Sequence, residues 1–223
     1  LSRFPIVENA VQDFSDLLWR DLPDQNMPDG VFPDLRLSTT GHWRVPVNFP
    51  NGQRLDLLTW HATPPVFDGP EDRNGWRNRD EAAFWLKYLN GDLEAVPGNL
   101  PVIAGFANLD AKDGDGRPDA LNALLNHPLL SDPQPKSTGG IPAAANDGGA
   151  NVGQSGNPAM DTADWPDGPD RPGNLRVSYI LPSVGFKVVA SGVLWPEPGT
   201  SLGRHVVQAS RHRLVWVDLV LKN

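Results

Sequence analysis

The sequence contains no cysteine, which removes disulfides and thiolate metal sites and leaves the compartment unmarked by redox chemistry. It also lacks a basic excess. Nineteen Lys and Arg against 27 Asp and Glu give a formal charge of −8, so the overall field repels polyanions and weighs against nucleic acid as a partner. No apolar run is long enough to cross a bilayer, and the opening LSRFPIVENA has no signal-peptide pattern. Periplasm, cell exterior and cytoplasm stay open, with the first two favoured. The first residue is Leu1 and not Met, which suggests processing, truncation or a fragment of a longer chain. No internal repeat is found.

Glycine and proline are abundant, at 22 and 23 residues, and together with ordinary apolar content they suit long ordered loops on one compact domain covering 1–223. Val11, Phe14, Leu17 and Leu18 at helical spacing predict a helix over 8–19. Two alternating segments, 43–49 and 54–62, predict a hairpin turning at Pro50, Asn51 and Gly52, with His61 at a strand end. A helix is expected over 77–91, its buried side formed by Ala83, Phe84, Leu86, Lys87 and Leu89, and a doubly buried strand over 100–106. Segment 117–128 reads as a short helix stopped by Pro128, and 131–172 as a long irregular excursion. Strands over 174–182, 186–195 and 212–221 complete a layered mixture of strands and helices.

Three polar residues fall at strand ends: His61 in WHATPP, Asn108 in AGFAN and His212 in SRHRLVWVDL. Open α/β sheets build sites at such ends. With HATPPVFDGPEDRNG, DGDGR, GNLRVSYILPS and SRHRLVWVDL, the chain resembles the endonuclease/exonuclease/phosphatase superfamily along almost its whole length. The resemblance implies an α/β (α+β) fold, a four-layer α/β/β/α sandwich of the DNase I-like type, and metal-dependent phosphoester hydrolysis in active members. It also implies an N-terminal half, with a metal-binding Glu and an Asn, that this sequence does not contain. An exposed sheet edge and a protein partner, or the missing half, are expected in consequence.

Active members of the superfamily carry Asp where this chain has Phe106, Ser178 and Arg211; only His61, Asn108 and His212 match. Mg²⁺ or Mn²⁺ requires hard oxygen ligands, chiefly carboxylates. A ring, a neutral hydroxyl and a guanidinium are poor substitutes, so no metal and no cofactor are expected and the chain is read as an inactive member serving as an interaction or structural subunit.

Two rival readings remain open. Asp110, Asp161 or Asp164 could hold a metal instead, or Arg211, Arg213 and Arg176 could bind an anionic ligand in its place. Each matched residue also has a plain role, His61 and His212 as hydrogen-bonded strand-end groups and Asn108 as a turn residue. Asp110, Asp113 and Asp115 miss the spacing of a calcium loop, and Asp113 or Asp115 is expected to bond amides at a helix start. Trp43, Trp165 and Trp195 lie near loops, where a partner could use them.

Overall fold

The structure, a computed structural model, describes residues 1–95, 98, 100–166, 168 and 171–222. In chain order its regular elements are β1 (Gln12–Asp13), β2 (His42–Asn48), β3 (Arg54–His61), α1 (Arg73–Asn90), β4 (Pro101–Phe106), α2 (Asp119–Leu125), α3 (Gly140–Asp147), β5 (Ala163–Asp164), β6 (Asn174–Leu175), β7 (Ser178–Pro182), β8 (Phe186–Leu194), α4 (Ser201–Ala209) and β9 (Leu214–Leu221).

The expected hairpin is β2–β3, and Gly52 closes it at a φ of +83°, where a side chain would be strained. β4 lies parallel to β3 and β7 antiparallel to β4, giving a five-stranded sheet in the order β1-β2-β3-β4-β7. Gly105 in β4 has no room for a side chain, since a Cβ there would fall 2.1 Å from the Trp60 carbonyl oxygen. On one face of this sheet α1 buries Phe84, Trp85 and Tyr88 together with Leu58, Ile103 and the α2 residues Leu121 and Leu124. That stripe is wider than the sequence suggests, for Trp85 and Tyr88 are buried while Leu86 and Lys87 are half-buried. A separate pair, β8–β9, sets β9 against β7. The alternation of β9 leaves Leu214, Trp216, Asp218 and Val220 pointing outward, and the Trp216 indole covers Gly192 so closely that a Cβ there would fall 2.8 Å from it.

Three expectations are corrected. Residues 8–19 form no α-helix; their backbone groups are used elsewhere, with β1 pairing to β2, the Leu37 amide donating to Leu17 and the Trp19 amide to Leu35. Phe14 still reaches the core, its ring 5.1 Å from Phe84, so tertiary pairing overrides the helical spacing. The 131–172 excursion contains α3, which seats Ala143 against Val193 and Trp195; residues 167, 169 and 170 of that stretch lie outside the described residues. The strand read over 174–182 is split into β6 and β7. Helix α4 escaped the sequence reading, although Thr200 caps it by accepting the Gly203 amide at 3.0 Å.

Helix α1 also buries polar groups that hold the strand ends. Asn78 donates to the carbonyls of Thr63 and Ala107, both at 2.7 Å, and Glu81 accepts the Thr63 amide at 2.6 Å. Asp80 accepts the Trp19 indole N–H at 2.7 Å and the Asn26 amide at 2.6 Å, fixing the N-terminal segment.

Candidate functional site

Register brings the strand-end residues together. His61 is paired with Phe106 across β3–β4, and Phe106 with Ser178 across β4–β7. Directly opposed residues point to the same face of a sheet, so the three form a row. His212 reaches this row through an isolated bridge to Ala163, just ahead of β9. The Phe106 ring then lies 5.2 Å from the His61 ring and 4.9 Å from the His212 ring, which meets it edge to face at 84°. On its other side His212 meets Trp165 at 5.2 Å and 90°. Trp165 therefore lines the site, a role that its isolated position in the loop sequence did not signal.

Asn108 faces a different task. Its backbone sits at a φ of 49°, and its Nδ2 donates to the Ala62 carbonyl at 2.7 Å, tying the ends of β3 and β4 as the turn reading expects. Arg211 is exposed and lines a cleft of about 960 Å³ with Phe67, Asn108, Asp113 and Trp165. Trp195 is buried under the Arg213 guanidinium, 4.4 Å from its ring, and is no anchor for a partner, whereas Trp43 remains 46% exposed.

Two of the three arginines proposed for anion binding are committed elsewhere. Arg176 makes a bidentate pair with Asp132 at 2.8 and 2.6 Å, and Arg213 pairs with Asp164 at 2.5 Å. Two of the acidic residues, Asp110 and Asp113, are also occupied. Asp110 accepts the amides of Lys112, Asp113 and Arg176, and Asp113 accepts those of Ser155 and Gly156. Asp113 therefore pins the long excursion, and the expected bond to a helix start is not made: α2 has no side-chain cap. Asp161 is buried, and that burial, with Asp110 and Asp113 adding repulsion, pushes its carboxyl up to about 8. Among the described residues no three His, Asp or Glu side chains are arranged to hold a metal ion.

Around Phe106 the donor set is equally poor for a divalent cation. Ser178 contributes a neutral hydroxyl, and its Oγ and the His212 Nδ1 are both buried without a partner in the described structure. Burial lowers the His212 pKa, and the neighbouring His61 and Arg213 lower it further. A His61→Gln variant should therefore titrate at His212 closer to the ordinary value near 6.5, as read by NMR of the imidazole nitrogens. An unmoved His212 midpoint would show that the two rings are not coupled.

The chain matches the Endonuclease/Exonuclease/phosphatase family over residues 1–212. Among solved structures it is similar to the endonuclease/exonuclease/phosphatase from Beutenbergia cavernae, with a TM-score of 0.58 and 18% identity over all of this chain and 47% of that one. It is also similar to an endonuclease/exonuclease/phosphatase family protein from Bacteroides thetaiotaomicron, with a TM-score of 0.51 and 15% identity over 98% of this chain and 64% of that one. At such identities the likeness is one of fold, and this chain spans less than two thirds of either relative. A comparison with curated proteins gave no match.

Proposed function

Since this chain belongs to the Endonuclease/Exonuclease/phosphatase family, we propose that it is a catalytically inactive member, retained as an interaction or structural subunit of a larger assembly. The observation that carries this reading is the Phe106 ring, seated 5.2 Å from one imidazole and 4.9 Å from the other. An apolar ring between two imidazoles offers no oxygen ligand where a hydrated cation would need one. Ser178 beside it is a neutral hydroxyl, and Arg211 would repel a cation approaching the rim.

An active site assembled from Asp110 or Asp164 is disfavoured by their present partners. Asp110 is held by three backbone amides and Asp164 by Arg213. A purely anionic ligand site is left with Arg211, because Arg176 and Arg213 are already paired.

The purified chain is expected to give no saturable heat with Mn²⁺ and no Mn²⁺-dependent hydrolysis of bis(p-nitrophenyl) phosphate. Changing Phe106→Asp, Ser178→Asp and Arg211→Asp together should introduce Mn²⁺ binding by calorimetry. Hydrolysis by the unaltered chain that requires Mn²⁺ and is lost in His212→Ala would overturn the proposal.

A further inference from the structure

Asp161 lies inside the fold at 6% exposure, and its Oδ2 is enclosed without a hydrogen-bond partner. An enclosed oxygen is out of reach of any group beyond the residues that cover it, so its orphaned state is intrinsic to this part of the chain. No cation compensates it. The 108–116 loop presents Asp110 and Asp113, which both repel its charge, while Lys112 and Asp115 on that loop are exposed. Arg176, on the segment that follows β6, is turned to Asp132, and Arg213 is turned to Asp164. His212, bridged to Ala163 nearby, faces Phe106 and Trp165, and the 3₁₀ turn Pro158–Met160 ahead of Asp161 has no charged residue.

Asp113 spans two walls of the cleft of about 960 Å³. One wall is its own loop, with Leu109, Asp110 and Asp115; the other carries Ala150, Gly153 and Gln154. From the second wall Asp113 accepts the Ser155 amide at 2.7 Å, the Ser155 hydroxyl at 3.0 Å and the Gly156 amide at 2.7 Å. The approach is close, since a Cβ on Gly156 would fall 2.6 Å from the Asp113 Oδ2. Further bonds of that wall run away from the loop: Asn151 accepts the Asn174 amide at 2.8 Å, and Gln154 donates to the Pro172 carbonyl at 2.9 Å.

We propose that Asp161 and Asp113 form a proton-controlled latch, in which loss of the Asp161 proton drives Asp113 off Ser155 and Gly156 and parts the two walls of the cleft. A third negative charge beside Asp110 and Asp113 meets neither a cation nor an amide. Asp110 is held in place by amides of its own loop and of Arg176. Asp113 is the member that yields, because it is half-buried and its Ser155 partner is exposed, so both can turn to water. Parting the walls brings water to Asp161. The clasped state keeps its proton up to about pH 8, whereas the parted state lets the carboxyl return toward its ordinary value of 3.8. Parting is therefore favoured about tenfold for each pH unit on the approach to 8 and gains nothing further above it.

This latch does not depend on whether the chain is inactive, and its readout involves neither metal nor hydrolysis. Hydrogen exchange of the unaltered chain, corrected for base catalysis, should show protection of the Ser155 and Gly156 amides falling about tenfold between pH 7 and 8 and levelling off above 8, with the β3 amides better protected throughout. In Asp161→Asn, which fills the same space without the charge, protection of both amides should stay constant over that range. Amides of Ser155 and Gly156 already unprotected at neutral pH, or protection in the unaltered chain that does not change with pH, would overturn the proposal. So would a fall that persists in Asp161→Asn, or one matched in size by the β3 amides.

Discussion

Raising the pH from 6.5 to 9 is expected to lower the melting temperature of this protein steeply, and Glu81→Gln with Asp161→Asn should flatten the fall. Burial pushes the Glu81 carboxyl up to about 8, against the Thr63 amide and Arg77 acting to lower it. Burial likewise pushes Asp161 up to about 8, with Asp110 and Asp113 adding to it. Both groups hold protons in the folded chain that the unfolded chain releases near its ordinary carboxyl pKa. Stability from these protons is therefore complete below about pH 4 and is lost as the pH climbs through 8. At about 1.4 kcal/mol for each tenfold change in proton affinity, the two carboxyls together are worth several kcal/mol.

His42 acts in the opposite sense on the acid side. Burial lowers its pKa to about 4, opposed by its contact with the Glu81 carbonyl, so the unfolded chain takes up this proton first as pH falls below 6.5. Its loss of stability toward acid partly offsets the gain from the carboxyls between pH 4 and 6.5, which places the steepest decline above 6.5. A melting temperature that is level or rising between pH 6.5 and 8, or a double variant with an unchanged slope, would sink this account.

The second large effect is expected from Asn78→Leu. This substitution keeps the side chain's approximate size but removes both donors that α1 supplies to the Thr63 and Ala107 carbonyls. Two buried acceptors left unpaired cost about 1–3 kcal/mol each, so a loss of about 2–6 kcal/mol is expected, or roughly 5–20 °C in melting temperature for a chain of this length. Local loosening should accompany it: Asn78 and Glu81 are one helical turn apart and hold the two backbone groups of Thr63, just beyond His61. Faster exchange of the Ala62 and Ala107 amides, greater than that of β2, is the accompanying readout. A melting temperature within a degree of the unaltered protein would remove the clamp from consideration.

The strands were legible where their alternation was long enough to show which face is buried. β2, β3, β4, β8 and β9 fall close to the segments expected, and the register His61–Phe106–Ser178 follows from strands whose existence the sequence already announces. Residues 8–19 misled because helical spacing and an extended strap can both turn Phe14 and Leu17 toward the core, while the strap leaves Val11 exposed; the choice is made by backbone partners on β2 and residues 35–37, distant in sequence. The site was only partly legible. His61 and His212 could be named from short motifs, but Trp165 meets His212 through a tertiary approach for which no spacing gives a sign. The carboxylates in DGDGR looked like a helix start or an ion loop. Asp113 instead receives amides from residues 155 and 156, a partnership over some forty positions that no local pattern records.

The close passage of Gly105 beneath the Trp60 carbonyl has a consequence for how this sheet end can drift over generations. Inheritance has almost no latitude at that glycine, since even a methyl group collides with main chain that cannot swing aside. Its neighbour in sequence and the residue facing that neighbour are freer, for their side chains meet other side chains and not main chain. Residues 106 and 178 can thus change in chemical kind while the strands beneath keep their spacing.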